Sequence, residues 1–320
     1  MVTLSSENIS LTLIPELGGV ISSIKFLPNG TEMLARIRDE RSPEISRLGR
    51  TADNLLDLLF IGGYYEILPN AGYITEYNGI EFGLHDETPY IPWKLEYDEE
   101  RDPNSILLIV SLIKYPLKLF RRITLRDNTI VFDERLVNLS PTSTLPFSWL
   151  HHPTFGEEFI GEDSILELPE NTQLEVDSFL ESDSTCLRAG YKGNWPSAMQ
   201  KNGKLEDLSR FPSRGSRNCD DLVYVPVVRE GTFTIRNNKK RIALRATWDK
   251  EIFGAIWLWR PFGGGNGYPW FGRVYCAAVE IATSTPVSGL GDQVKLGTAK
   301  WIHPNEEIKT TLKYEIIQEE

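Results

Sequence analysis

Cysteine and histidine are both scarce in this chain of 320 residues, which has three cysteines and four histidines. Cys186, Cys219 and Cys276 are odd in number and far apart, and none belongs to a CxxC pair. The sequence therefore predicts no disulfide framework and no zinc motif. The patterns HExxH and HxH are missing too, so we expect no metal ion and no other cofactor.

Long apolar runs and an excess of positive charge are missing as well. No stretch of about 20 apolar residues occurs, so the sequence predicts no membrane span. The start, Met1 to Glu7, lacks the basic and apolar parts of a secretory signal, and we expect a cytoplasmic protein. A net charge of -11 argues against nucleic acid or an anionic membrane as partner, because both attract clustered Lys and Arg. Monomer and homodimer both remain open.

Helical periodicity is also rare, and alternation of apolar and polar residues dominates. Ile9 to Leu13 alternates near the start of the chain, and Ile308 to Ile316 alternates near its end. Between them, Leu117 to Val137 has the pattern of a strand, a turn and a second strand. Thr232 to Arg245 predicts another hairpin, which turns at Asn237-Asn238 because asparagine tolerates positive φ.

These strands run from residue 9 to residue 317 without a linker or a repeat. We therefore predict an all-β protein, a large antiparallel β-sandwich of two sheets in a single domain that spans residues 1–320. Few short helices are expected, and only Asn54 to Ile61 and Ser197 to Ser209 have a suitable pattern.

Two of the four histidines, His151 and His152, lie in the aromatic stretch Leu145 to Gly156. Pro153 pushes the backbone of His152 toward an extended conformation, so His152 belongs to a strand or its end. Histidine titrates near neutrality and can donate or accept a proton there. Because adjacent strand residues point to opposite faces, only one of the two can face a given site, and which of them is the acid stays open.

Glu280 interrupts an apolar strand. Alternation places Val274, Cys276, Ala278 and Glu280 on one face, where the small residues leave room for a ligand above the sheet. A carboxylate on an apolar face costs free energy unless it is paired, and desolvation raises its pKa toward the range of a useful base. The alternative is an ion pair with an arginine such as Arg273.

Acidic and aromatic side chains offer candidates for ligand binding. Asp220-Asp221 precede the strand Leu222 to Val225 and could hold sugar hydroxyls, or could be a solvated strand entry. Trp257 and Trp259 share one strand face, and indole rings stack on the C–H surfaces of sugars.

Three segments, in this order, resemble those of the aldose 1-epimerase (galactose mutarotase-like) family. The first is Gly83-Leu84-His85-Asp86 followed by Pro92-Trp93, the second is His152-Pro153-Thr154-Phe155, and the third is Cys276-Ala277-Ala278-Val279-Glu280. Leu68-Pro69-Asn70-Ala71-Gly72 is also similar to a family segment. Asp86 stands where the family has glycine, and Ile281 stands where it often has proline.

The resemblance implies a β-supersandwich and interconversion of sugar anomers without a cofactor. It implies that Glu280 takes the proton from the anomeric hydroxyl while His152 protonates the ring oxygen, which requires the lower pKa on Glu280. It also implies that His85 binds near the ring oxygen and that Asp221 holds a hydroxyl. Trp257 is expected to contribute a sugar-stacking surface.

Other functions remain open at this point. An epimerase for a phosphorylated or sulfonated hexose would need basic residues beside the sugar, for which Arg47, Arg50 and Arg273 are candidates. A sugar-binding protein without catalysis would have the same fold. A glycosidase has less support, because no second acid partner for Glu280 is apparent.

Overall fold

The structure is a computed structural model, and it describes residues 1–37, 60–96, 102–180, 182–267 and 270–319. These residues form twenty-five strands, numbered β1 to β25 along the chain, with one short α-helix and one 3₁₀ turn. No described helix is both long and apolar enough to cross a membrane.

Two large antiparallel sheets contain most of the strands. The eleven-stranded sheet has the order β1-β2-β3-β5-β13-β23-β22-β19-β15-β16, with β4 attached to β3. Its strands are β1 Val2–Ser5, β2 Ile9–Ile14, β3 Val20–Phe26, β4 Thr31–Glu32, β5 Gly63–Ile67, β13 Leu150–Gly156, β15 Gln173–Val176, β16 Lys192–Asn194, β19 Cys219–Val225, β22 Ala255–Phe262 and β23 Cys276–Ala282.

The eight-stranded sheet packs on the inner face of the first, in the order β14-β20-β21-β25-β11-β10-β9-β8. Its strands are β8 Lys94–Glu96, β9 Ser105–Ser111, β10 Leu117–Arg126, β11 Thr129–Asn138, β14 Ser164–Glu167, β20 Thr232–Asn237, β21 Ile242–Trp248 and β25 Glu307–Gln318. The main core fills the space between the two sheets. The prediction of an all-β antiparallel sandwich is confirmed.

Smaller elements decorate the sandwich. They are the pairs β6 Thr75–Tyr77 with β7 Ile80–Phe82, β12 Leu145–Phe147 with β24 Lys300–Ile302 and β17 Ser197–Met199 with β18 Leu205–Asp207, the helix α1 Leu290–Leu296 and the 3₁₀ turn Thr88–Tyr90.

Both predicted hairpins are present, as β10–β11 and β20–β21. The helix predicted for Ser197 to Ser209 is wrong, because this segment forms the hairpin β17–β18. Gly203 turns that hairpin with a φ of +84°, in the left-handed region that glycine adopts without strain. Most of the other predicted helix, Asn54 to Ile61, lies outside the described residues, and helix α1 was missed.

Candidate active site

The register of two central strands places His152 beside Glu280. His151 pairs with Ile281 and Thr154 pairs with Ala278, so His152 of β13 lies opposite Glu280 of β23 on the same sheet face. Nε2 of His152 is 3.5 Å from Oε1 of Glu280. Both side chains are buried, with 4% and 2% of their surface exposed.

This pair lies in the wall of a cavity of about 290 Å³ on the outer face of the large sheet. Its size is close to the lower end of the range for small-molecule sites. The lining combines two histidines and two acidic side chains with a largely aromatic and aliphatic wall: Phe60, Tyr73, Leu84, His85, His152, Leu180, Ser182, Asp220, Leu222, Trp257, Trp259, Gly265, Trp270, Glu280 and Val287.

His85 reaches the same cavity from a turn, and its ring centroid is 5.7 Å from that of His152. Its backbone has a φ of +51°, and its N–H donates to Gly72 O at 2.9 Å. Nδ1 lies 2.5 Å from Ala71 O, which can only accept, so Nδ1 carries the proton. Nε2 is therefore an acceptor, able to receive a hydrogen bond from a ligand hydroxyl. Desolvation lowers the pKa of His85 to about 4 and keeps the ring neutral.

As at His85, burial favours the neutral forms of His152 and Glu280. It raises the pKa of Glu280 well above its ordinary range and lowers the pKa of His152 to about 3. Burial therefore favours the neutral pair, with the titratable proton on the carboxyl group of Glu280 rather than on the imidazole of His152. This corrects the expected order, in which Glu280 had the lower pKa. Glu280 acquires the lower pKa of the two only if a ligand stabilises the carboxylate and the imidazolium. Because the two groups interact closely, their pKa values then belong to the pair rather than to either residue.

The structure also corrects the choice of Asp221. Along β19, Asp220 lines the cavity, while Asp221 points to the opposite face of the sheet, where its Oδ1 accepts from the N–H groups of Cys186 and Leu187. Asp220 Oδ1 accepts from Trp259 Nε1–H at 2.8 Å. Burial raises the pKa of Asp220 to about 6. The carboxylate available to a ligand in the cavity is thus that of Asp220.

An aromatic wall surrounds the His152–Glu280 pair. The Phe60 ring contacts His152, Trp259 and Trp270 edge-on, with centroids 5.7, 6.1 and 5.8 Å apart. Trp257 also lines the cavity and donates Nε1–H to Ser284 O at 2.8 Å. Aromatic rings around a few polar groups are typical of sites that bind the C–H faces of sugars.

Arg273 does not line this cavity. It is exposed and lies at a separate, polar cavity beside Glu157 and Arg214. Arg47 and Arg50 lie outside the described residues. None of the described residues that line the candidate site is an Arg or a Lys.

His151 faces the interior of the sandwich, so it is His152 that belongs to the cavity. Nε2 of His151 is 3.2 Å from Glu134 Oε2, and Nδ1 is 2.8 Å from the Tyr64 hydroxyl. Arg121 Nε lies between Glu66 Oε2, at 2.9 Å, and Glu134 Oε1, at 3.2 Å. These four side chains, Glu66, Arg121, Glu134 and His151, are fully buried and form what we call the inner charge network.

Several cavity residues had no individual signal in the sequence, among them Phe60, Leu180 and Val287. Tyr73 directly follows the Leu68 to Gly72 segment that carried the resemblance, so that segment could have indicated it. The others come from separate loops, and only the folded chain brings them together.

No model of a protein family matches the chain, and no curated protein matches it in sequence. Solved structures do match over nearly its whole length. The protein Slr1438 of Synechocystis sp. PCC 6803 is 17% identical with a TM-score of 0.68, covering 99% of this chain and 96% of its own. A galactose mutarotase-like protein from Clostridium acetobutylicum is 14% identical with a TM-score of 0.66, covering 99% and 94%.

A galactose mutarotase related enzyme from Lactobacillus acidophilus is 12% identical with a TM-score of 0.63, covering 99% of this chain and 97% of its own. The chain therefore has the galactose mutarotase-like fold. At these identities the likeness establishes the fold, and any activity must be argued from the site itself.

Proposed function

We propose that the protein is a mutarotase, an aldose 1-epimerase that interconverts the α and β anomers of a neutral aldose. The observation that carries the proposal is the cross-strand pair of His152 and Glu280, 3.5 Å apart in the wall of an aromatic cavity. Ring opening moves one proton off the anomeric hydroxyl and one onto the ring oxygen. A pair that holds a single proton can do both without a net change.

In the proposed sequence, the anomeric hydroxyl donates to Glu280 and stabilises its carboxylate form, and the proton of the pair moves to His152. Glu280 then takes the hydroxyl proton while His152 protonates the ring oxygen, and the C1–O5 bond breaks to give the open-chain aldehyde. After C1–C2 rotation the ring closes on the other face of C1, with the two groups in reversed roles. His85 Nε2 and Asp220 accept hydrogen bonds from other hydroxyls.

The charges of the cavity favour a neutral sugar over a phosphorylated one. Glu280 and Asp220 are both acidic, and no cation lines the described part of the wall. A phosphate there would meet carboxyl groups without a compensating Lys or Arg, which disfavours binding. Faster anomer exchange with glucose 6-phosphate than with glucose would reverse this choice.

The test follows the optical rotation of freshly dissolved α-D-glucose and α-D-galactose with purified protein. We expect a faster approach to the same final rotation, and loss of that acceleration in Glu280→Gln. The exposed Glu251→Gln and His303→Gln variants serve as matched controls and should keep full rates. Saturable sugar binding without acceleration would indicate a binding protein of the same fold.

A further inference from the structure

Two cysteines and an aspartate meet behind the cavity, although the sequence spacing gave no sign of it. Cys219 and Asp221 alternate along β19 and share the face that points away from the cavity. Cys186 approaches them from the segment 182–188. One ligand atom from each of the three side chains lies within 4.8 Å of the others.

Asp221 supplies an independent sign that this cluster receives a ligand. Its Oδ1 accepts from the Cys186 and Leu187 N–H groups at 2.8 and 2.9 Å. Its Oδ2 is buried and has no hydrogen-bond partner among the described protein atoms. A buried carboxylate oxygen without a donor costs free energy, so a cation or a donor at this point would stabilise the protein.

The surrounding charges fit a divalent cation. Glu206 forms ion pairs with both Arg217 and Arg260 beside the cluster, and Asp221 contributes a second negative charge. With both thiols protonated, the two arginines and the two carboxylates sum to zero. A divalent ion that replaces the two thiol protons leaves that sum unchanged. Binding of the ion must therefore release both thiol protons.

The ligand chemistry is that of zinc. Two sulfurs and one carboxylate oxygen are ligands of Zn²⁺ and related thiophilic ions, which bind tetrahedrally with a fourth position for water. Sulfurs bound to such an ion lie about 3.8 Å apart, given Zn–S bonds of roughly 2.3 Å. The three candidate ligand atoms lie within 4.8 Å of one another.

A second group of ligand-type residues, Glu66, Glu134 and His151, does not support the same argument. The Arg121 guanidinium already lies between its two carboxylates, at 2.9 and 3.2 Å. A divalent cation would have to displace a buried positive charge to reach them, and the resulting repulsion opposes binding.

We propose that Cys186, Cys219 and Asp221 form a binding site for a zinc-class divalent cation that ties the segment 182–188 to β19. This segment forms part of the cavity wall and is hydrogen-bonded to the rest of it. Ser182 lines the cavity, Ser184 O accepts from Asp220 N–H at 2.9 Å, and Ser184 Oγ accepts from Gly265 N–H at 3.1 Å. The ion would thus stabilise one side of the wall, whether or not the protein is a mutarotase.

The test uses Co²⁺ as the probe, on the whole protein, stripped with a chelator and kept reduced. Thiolate–Co²⁺ bonds absorb intensely in the near ultraviolet, which carboxylate and imidazole ligands alone do not. We expect this band to saturate at one ion per chain, with release of about two protons. Zn²⁺ should displace Co²⁺ and raise the melting temperature.

Three variants and one matched control make the result specific. Cys186→Ser, Cys219→Ser and Asp221→Asn should each weaken Co²⁺ binding by at least about tenfold, since even residues that only support a ligand contribute that much. Cys276→Ser removes the third cysteine, which lies elsewhere, and should bind Co²⁺ as the wild type does. Circular dichroism establishes that each variant is folded. Because Cys186 is only partly buried, Cys186→Ser should lose less packing energy than Cys219→Ser.

Co²⁺ binding without the sulfur band would overturn the proposal, as would a band of wild-type intensity and affinity in folded Cys186→Ser. No binding at all would also overturn it, and would leave a water bridge from Asp221 Oδ2 to the unpartnered Nη1 of Arg260 as the explanation for both buried atoms. The rate of anomer exchange is measured separately, so failure of this site and failure of the proposed function are distinguishable.

Discussion

His151 and His152 are neighbours on one strand, and the two faces of that strand give them opposite surroundings. His152 lines an open cavity beside Glu280, with no described cation in the wall. His151 lies in the closed interior beside Glu134, where Arg121 compensates the carboxylates. The residue type is the same, and so is the direction of the pKa shift, since burial lowers both pKa values. Ligand access distinguishes the two faces: only the outer pair can exchange its proton with a bound molecule.

The inner charge network consists of two cross-strand pairs that meet face to face. His151 pairs with Glu66 in the large sheet, and Arg121 pairs with Glu134 in the second sheet. Trp149 Nε1–H also donates to Glu66 Oε1 at 2.6 Å. The network therefore joins the two sheets at their centre, directly behind the candidate site.

The sharpest contrast is between His152→Gln and His151→Gln. We expect His152→Gln to lower the rate of anomer exchange about 10²–10⁴-fold while the melting temperature stays near that of the wild type, because it removes a proton-transfer group. His151→Gln should instead lower stability by about 1–3 kcal/mol, because Glu134 and the Tyr64 hydroxyl lose a partner.

Polarimetry and urea unfolding on both variants measure the two effects. If His151→Gln lost activity as severely as His152→Gln while remaining folded, the division of roles between the two faces would be wrong. Equal activity of the wild type and His152→Gln would remove the proposed acid.

Arg121→Met tests the inner face alone. This change keeps much of the side-chain volume but leaves Glu66 and Glu134 buried without their cation. Breaking a buried ion pair in this way costs about 3–5 kcal/mol, so the urea midpoint should fall strongly. The exposed Arg245→Met is the matched control and should change stability by less than about 1 kcal/mol. A wild-type midpoint in Arg121→Met would show that the network adds nothing to stability.

The pH dependence of stability gives a finer measure of the same network. Burial raises the pKa of Glu134 to about 7, above its usual value. A raised folded-state pKa means that the folded protein binds the proton more tightly, so this contribution to stability is complete below about pH 4.5 and is lost as the pH rises through 7.

Glu134→Gln removes this contribution. The stability of the wild type relative to the variant should therefore fall between about pH 4.5 and 7, by on the order of 1.4 kcal/mol per pH unit. Parallel unfolding measurements across that range provide the check. A constant difference would mean that Glu134 titrates as it does in the unfolded chain.

The sequence predicted the parts of this protein that depend on local pattern. Alternation assigned Cys276, Ala278 and Glu280 to one strand face, and the structure confirms it, with Ala277, Val279 and Ile281 in the inner core. The two hairpins were predicted for the same reason. The family resemblance of three segments implied that His85, His152 and Glu280 come together, and the structure brings all three to one cavity.

What the sequence could not give depends on contacts between distant segments. The register between β13 and β23 decides that His152, and not His151, meets Glu280. The pKa values depend on burial depth, which composition does not show. The choice between Asp220 and Asp221 required the face on which β19 packs, and the approach of Cys186 to Cys219 required the path of a loop.

Asp220 and Asp221 are also sequence neighbours that face opposite sides of one strand. Of the variants considered, theirs should change activity the least. Asp220→Asn keeps an acceptor in the cavity but removes its charge, so we expect a KM for the sugar about tenfold higher, with kcat changed less. In protein stripped of metal ions, Asp221→Asn should leave KM near the wild-type value, because this side chain points away from the cavity to the amides of Cys186 and Leu187. Initial rates at varied sugar concentration measure both. A KM effect in Asp221→Asn equal to that in Asp220→Asn would mean that the segment 182–188 transmits its position to the cavity, and that the two faces of β19 are not independent.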